Sequence, residues 1–539
     1  MKPGSHSNTS TSPAGKTLAA MGGTLVSRLL GLARDMLVAA VLGAGADIFV
    51  AAFRIPNIAR RIAGEGSLGL AYTTTLGRLM PNSRYTEEAA RTCKHTALAF
   101  AGIGLCLALV LAIYPKGSIA LVAPGLLSRD TLPIAMLCLL LCLPYLPLAG
   151  ISAVLSATLV AGGKMAQTTF APVFLNAGIL AFGLLALCAF APLPPAAWFA
   201  LGASAGGVAQ CGWLLWQCRK LRQRDVETTA FAQSARLAGN GVKEILKQTP
   251  EALFTSCGTQ LHFVIAAVVA SFLPEGNLAA LYFAERLVEF PLMLAGAIPA
   301  LVMAPDFARL HGPALQASLT ATLRLGFFLS IPAAIGLFFL APPLALLFFG
   351  HGAFDAQKTI ATGQVLACIA LSLPLVCMVR PLAAAISALQ NQRSTQNIPH
   401  PCNNSQKMAT RATLWSLLAT ALACVTLTPL LGLVGTGLAL NIGALTQAIL
   451  LYNILQKKGI TTTLTALCKS ILPVVLGGGI LGFALAFLPD LTAGSVSIIW
   501  LAGCIGGIVS VAGASWIVVY ALLGNEEAIS LCAALRKKL

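Results

Sequence analysis

Hydrophobic and polar positions along this 539-residue chain do not alternate but come in blocks. Runs of about 20 mostly apolar residues, the length a helix needs to cross a bilayer, recur throughout. They lie near 18–42, 51–77, 96–114, 131–160, 166–190, 196–218, 250–273, 278–304, 318–349, 359–390, 412–429, 433–455, 470–488 and 496–523. A membrane β-barrel would instead alternate over about ten residues. The pattern predicts an all-α polytopic membrane protein with about 14 transmembrane helices.

The polar stretches divide these runs. Residues 1–17 read as a polar cytoplasmic tail, 18–218 as an N-lobe of six helices and 219–249 as a cytoplasmic linker. Residues 250–455 read as a C-lobe of six more, and 456–539 as helices 13 and 14 with a short basic tail. The Arg/Lys/Gln-rich linker reads either as an amphipathic helix on the inner leaflet or as a solvated connection. Ile151-Ser152-Ala153 late in the fourth run recurs as Ile386-Ser387-Ala388 late in the tenth. That echo fits two six-helix lobes with pseudo-two-fold symmetry, a common transporter plan.

Composition narrows the class. Apolar residues make up 57% and charged residues 10%, against about 45–50% and about 25% in soluble domains. The net charge of +17 suggests nucleic acid until its placement is considered. With the N-terminus inside, the cytoplasmic segments hold 24 Lys and Arg, and the outer loops hold only Lys116, Arg129 and Lys358. This asymmetry predicts that both termini are cytoplasmic and accounts for most of the charge without nucleic acid. The fifteen cysteines form no C-x-x-C pair, so Cys138 and Cys142 read as small packing residues.

Eight arginines fall within the runs or at their ends: Arg28, Arg34, Arg54, Arg60, Arg61, Arg286, Arg324 and Arg380. Each costs about 2.5–3.5 kcal/mol at a helix centre, so each needs a partner, a wet cavity or an interface. Arg324 and Arg380 read as snorkelling residues. In the N-terminal cluster, Arg28 and Asp35 share a face of a continuous helix, and Arg61 and Glu65 have pairing spacing. Local neutralisation is therefore one reading. The other is a cationic, wet cavity for a phosphate-bearing substrate, because five arginines there outnumber Asp35, Asp47 and Glu65, and the guanidinium fork suits phosphate oxygens. In FAERLVEFP (283–291), Arg286 either pairs locally with Glu289, near Glu285, or points into the same cavity from the other half.

Several chemistries lack their residues. The six histidines have no metal-binding spacing, and the nucleotide-binding loop G-x-x-x-x-G-K-[ST] is missing. Neither a metal nor an organic cofactor is expected. No Asp or Glu lies between Asp355 and Asp490. Ion coupling is thereby left to Asp35, Asp47, Glu65, Glu251, Glu285, Glu289 or backbone oxygens, with the membrane potential as another driver.

The same stretch closely resembles the start of the MurJ (MviN) family, lipid II flippases of bacterial cell-wall synthesis within the MOP exporter superfamily. The matching residues are Ser27-Arg28, Leu30-Gly31, Arg34-Asp35, Gly43 to Gly45, Asp47, Phe53 to Asn57, Arg60-Arg61 and Glu65-Gly66. The resemblance resumes at APVFLN (171–176) and ASFL…YFAERLVEFP (270–291). It implies a transporter, not an enzyme, in the bacterial inner membrane. The implied activity moves undecaprenyl-pyrophosphate-linked disaccharide-pentapeptide from the inner to the outer leaflet by alternating access. By the same resemblance, Arg28, Arg34, Arg60 and Arg286 hold the pyrophosphate and head group, and Asp35, Asp47 and Glu65 are acidic partners. Arg61, Glu285 and Glu289 join the charge-pairing or gating set. The implied partners are lipid II, membrane lipids and cell-wall synthesis enzymes, with the chain itself a monomer and nucleic acid excluded.

Three rivals stand beside this reading. One is an exporter of the same superfamily acting on drugs or another lipid-linked glycan, although a cavity for cations wants carboxylates. Another is a membrane-embedded polyprenyl-phosphate enzyme, which wants a D-D-x-x-D or H-x-x-x-D set that the chain lacks. The third is a scaffold for cell-wall enzymes, in which the intramembrane charges would have no use.

Overall fold

The computed structural model describes residues 13–65, 72–73, 76–77, 79–80, 85–188, 192–225, 258–293, 295, 307, 310–394, 404–460, 464–486 and 498–522. Among these residues the regular structure is helical, without strands. Each of the fourteen apolar runs carries helix over its described part. By length and hydropathy, eight described helices can cross a membrane, or nine when Ala356–Ala370 and Leu373–Leu389, bent by 46°, count as one span. Pro374 opens the second arm of that bend, where a missing N–H costs no helical hydrogen bond.

The first two runs form one helical stretch, Gly22–Ile62, of 41 residues. That is about twice the length one crossing needs, and the 3-10 turn Gly43–Gly45 divides it. Gly43 has φ +54°, and a Cβ there would strike the Ala353 carbonyl, so the position excludes larger residues. The second helix, Ala46–Glu65, starts five residues ahead of the expected run at 51. The linker beyond Asp225, residues 395–403 of the polar segment 391–410 and the basic tail lie outside the described residues.

The described residues fall into two units. One draws on Met1–Val41, Ala51–Ile119 and Asp130–Leu253, the other on Leu42–Val50, Ala120–Arg129 and Phe254–Leu539. Two short segments from the N-terminal half, 42–50 and 120–129, thus belong to the second unit.

In the first unit, Val154, Leu155, Leu159, Cys93, Leu214 and Tyr72 form a buried core against which Ile151 packs. Helices Pro172–Leu185 and Pro195–Asp225 meet through glycine. A Cβ on Gly202 would come within 2.8 Å of the Gly178 carbonyl oxygen, and one on Gly206 within 2.6 Å of the Leu175 carbonyl oxygen. This small-xxx-small spacing brings two backbones together where lipid offers no hydrophobic drive for association. The outward residues Leu98, Ile103, Val110 and Ile113 of helix Glu87–Ile113 are exposed, as on a lipid-facing surface.

In the second unit, Leu319, Leu323, Leu382, Ile386, Leu451 and Leu455 form the corresponding core. The two repeated Ile-Ser-Ala motifs therefore each pack in the core of their own unit. The last two helices, Leu464–Ala486 and Ile498–Leu522, pack on Gly312–Phe349 through Phe328, Val474 and Trp516 and through Leu501 and Ile505. Ile480 and Phe483 remain exposed on the outer side.

Candidate functional site

In the first unit, Arg34 and Asp35 are the most deeply buried of the candidate charges, at 3% and 1% exposure. The Arg34 Nε and Nη2 both donate to Asp35 Oδ1, at 2.9 and 2.6 Å. Its Nη1 donates to Asn176 Oδ1 at 3.0 Å. The Asn176 amide donates in turn to the Ser27 carbonyl at 3.0 Å, and Gly31 leaves room for it. The guanidinium also lies 5.8 Å from the centroid of Phe53. Three of the five Arg34 N–H donors are thus engaged in the interior, two by the acid and one by the amide, with an aromatic face beside the guanidinium. Asn176 closes the APVFLN motif, and nothing in the sequence assigns it this role.

Other arginines share this unit. Arg54 and Arg61 are buried, and Arg28 and Arg60 are half-buried. Arg60 Nη2 donates to Asn57 Oδ1 at 3.4 Å, one turn back on the helix. Glu65, the expected partner of Arg61, ends this helix, and its side chain lies outside the described residues.

In the second unit, Arg286 pairs with Glu289 at 3.0 Å, one turn on. Its other arm donates to the Tyr282 hydroxyl at 2.9 Å, with the guanidinium over that ring at 4.9 Å. The local pair expected from spacing is formed. Glu285 is buried on the same helix. Arg380 is exposed and Arg324 half-buried, compatible with snorkelling to an interface.

Asp47 departs from its expected company among the N-terminal arginines. Its Oδ2 accepts from Arg129 Nη1 and from the Gly276 N–H, both at 2.9 Å, and its Oδ1 accepts from the Ala279 N–H at 2.7 Å. The carboxylate therefore sits at the N-terminus of helix Asn277–Leu292, where backbone N–H groups and the helix dipole favour negative charge. Arg129 is tied further to the carbonyls of Ser271 and Leu273, at 3.1 and 2.7 Å. The Ser271 hydroxyl accepts the Gly125 N–H at 2.9 Å. Segments 42–50, 120–129 and 271–279 are knotted by one buried ion pair. In the sequence Arg129 stands only as an outer-loop charge. Its separation from Asp47 by 82 residues hid the pair.

The sequence profile described as "Lipid II flippase MurJ" matches residues 38–502. A lipid II flippase MurJ from Burkholderia cenocepacia is 30% identical over 456 residues, covering 82% of this chain and 84% of its own length. A probable lipid II flippase MurJ from Vibrio cholerae is 28% identical over 524 residues, 93% of this chain and 94% of its own. A solved lipid II flippase MurJ in an inward closed conformation superposes with a TM-score of 0.71 at 20% identity, covering 94% of this chain and 99% of that one. An inward-facing multidrug resistance MATE transporter of the MOP superfamily follows at a TM-score of 0.59 and 15% identity, covering 87% and 98%. The chain belongs to the lipid II flippase MurJ family.

Proposed function

We propose that this protein is a lipid II flippase of the inner membrane, a transporter rather than an enzyme. Its substrate is undecaprenyl-pyrophosphate-linked peptidoglycan precursor, carried from the inner to the outer leaflet. Family membership supports the substrate. The observation that carries the chemistry is the buried Arg34, whose guanidinium is held in place by Asp35 and Asn176.

In this reading Arg28, Arg34, Arg60 and Arg286 receive the pyrophosphate and head group, and arginine suits the task because its planar fork meets two phosphate oxygens at once. Asp35 positions Arg34 and keeps it from carrying an uncompensated charge between turnovers, since a lone buried cation is strongly unfavourable. Glu285 and Glu289 do the same for Arg286, and Glu65 for Arg61. Asp47, with Arg129, belongs to the charge-pairing set and ties segments 42–50, 120–129 and 271–279 together within the second unit. The lipid tail stays in the bilayer, against the exposed apolar faces of the last two helices.

Both termini face the cytoplasm, and the chain works as a monomer alongside the cell-wall synthesis enzymes that use its product. No cofactor is needed; the membrane potential or a monovalent ion drives the cycle. Growth of cells depleted of their own flippase tests this reading. Rescue by the wild-type chain is expected, and lysis despite normal membrane insertion would contradict it.

A further inference from the structure

Helices Asn404–Leu431 and Leu433–Lys457 of the second unit run antiparallel, so the start of the first lies beside the end of the second. A groove of about 290 Å³ opens between these ends. Arg411, Trp415, Asn453 and Lys457 line it together with Leu450 and Ile454. The first four of these side chains are exposed.

Charge in this groove has one sign. No Asp or Glu occurs between Asp355 and Asp490, so neither helix carries a carboxylate. Among the described residues, no ion pair, hydrogen bond or aromatic ring takes up Arg411 or Lys457. Lys407 and Lys458 add to the positive charge at the same end.

Beyond the cations the surface turns apolar on both helices. On the first, Trp415, Leu418, Leu422 and Val425 follow Arg411 at alternating steps of four and three residues, which is one helix face, and all four are exposed. On the second, Ile449, Leu445 and Ile442 lead away from Asn453 with the same spacing and are exposed too. A cationic rim, an amphipathic ring one turn in and an apolar stripe further on match a phospholipid's phosphate, glycerol and acyl chain in order.

In the first unit, the fifth and sixth apolar runs form the equivalent antiparallel pair, Met165–Leu185 with Pro195–Asp225. There the same end is closed by the protein's own rings. Phe170, Phe174, Trp213 and Trp216 stack in succession with centroids 5.1–6.0 Å apart. Lys220 Nζ lies 3.5 Å over the Trp216 ring. Rings and cation thus satisfy one another in the first unit, whereas the second keeps two uncommitted cations beside a groove.

We propose that this groove binds the head group of an anionic phospholipid of the inner leaflet, which takes the place that aromatic rings fill in the first unit. Arg411 and Lys457 hold the phosphate, Arg411 through its fork and Lys457 as a point charge. Asn453 meets the glycerol hydroxyls, and one acyl chain follows Trp415, Leu418 and Leu422. The inner leaflet follows from the excess of basic residues at this end. The volume argues against the lipid II head group, since drug-sized molecules already need about 300–1,000 Å³ and a disaccharide with a pentapeptide is larger. None of the arginines assigned to the transported head group belongs to this groove, so the site stands apart from the flippase reading.

The test titrates the purified full-length protein, in neutral detergent, with phosphatidylglycerol and separately with phosphatidylcholine of the same chains. Retained lipids are counted by mass spectrometry of the intact complex. The wild type should retain one phosphatidylglycerol at concentrations where phosphatidylcholine is not retained. Arg411→Gln and Lys457→Gln should each weaken that binding about fivefold, the effect of one cation near an anionic head group, and the double variant by more than either. Both side chains are exposed, so these variants should keep the wild-type unfolding midpoint in lipid-free detergent. Lys220→Gln, whose cation is engaged by Trp216, should bind the lipid as the wild type does. Equal retention of the two lipids by the wild type overturns the site, as does undiminished binding in the double variant. A loss in Lys220→Gln as large as in Arg411→Gln would mean general surface attraction and overturns it too. One-for-one displacement of the bound phosphatidylglycerol by lipid II would give the groove to the transported substrate and overturn the phospholipid assignment.

Discussion

Asp47 and Arg129 lie 82 residues apart in the chain and meet at 2.9 Å, with the carboxylate 2% and the guanidinium 14% exposed. The acid is also the cap of helix Asn277–Leu292, through the N–H groups of Gly276 and Ala279. One side chain therefore fixes three segments. Its three bonds are all charge-assisted, each worth about 1.5–3 kcal/mol.

Removing either partner should be costly, because it strands the other in a buried place. Asp47→Ala should destabilise the protein by about 3–5 kcal/mol, and Arg129→Ala by less, since Asp47 keeps two backbone donors. The double variant should fall well short of the sum. Thermal unfolding of the purified protein in detergent checks this, and additive losses would show that the two side chains act independently.

Arg34→Lys keeps the charge but loses the fork. An ammonium cannot serve Asp35, Asn176 and a phosphate with the same geometry. Loss of one charge-assisted bond is worth at least a factor of about ten, so lipid II movement should drop at least tenfold at unchanged membrane level. Asn176→Leu should show a milder loss, because it frees one guanidinium N–H without removing it. Rates for both variants matching wild type would assign Arg34 a purely structural charge.

At the second arginine, Tyr282→Phe removes one hydrogen bond to Arg286 and leaves the ring in place. The expected cost is about 0.5–1.5 kcal/mol, read as a partial loss of transport, whereas Arg286→Ala should lose nearly all of it. Equal loss in both would mean that the tyrosine hydroxyl, not the guanidinium, does the work.

Gly206→Val tests the helix contact in the first unit. The new side chain would press on the Leu175 backbone, which cannot move without its helix. Overpacking of this kind costs about 1–3 kcal/mol or more, so the unfolding midpoint should fall. Gly212→Ala, on the same helix with open space at its Cβ, should be neutral or slightly stabilising.

What could be read in advance follows from range. Helices were legible because apolar runs of about 20 residues have one structural outcome in a bilayer. The Arg286–Glu289 pair was legible because the partners are one turn apart. Arg34 and Asp35 stood out as charges in an apolar run, but Asn176, 142 residues on, carried no signal that it would complete their arrangement. Asp47 misled for the same reason: sequence proximity grouped it with arginines, while its carboxylate is taken up by Arg129, Gly276 and Ala279.

The central claim, that buried arginine carries lipid II outward, is tested most directly by leaflet-resolved labelling of lipid II. The cells should lack their own flippase and carry either the wild-type chain or Arg34→Ala at matched membrane levels. The account predicts outer-leaflet lipid II with the wild type and none with Arg34→Ala. A well-inserted wild-type chain that leaves lipid II in the inner leaflet would contradict it.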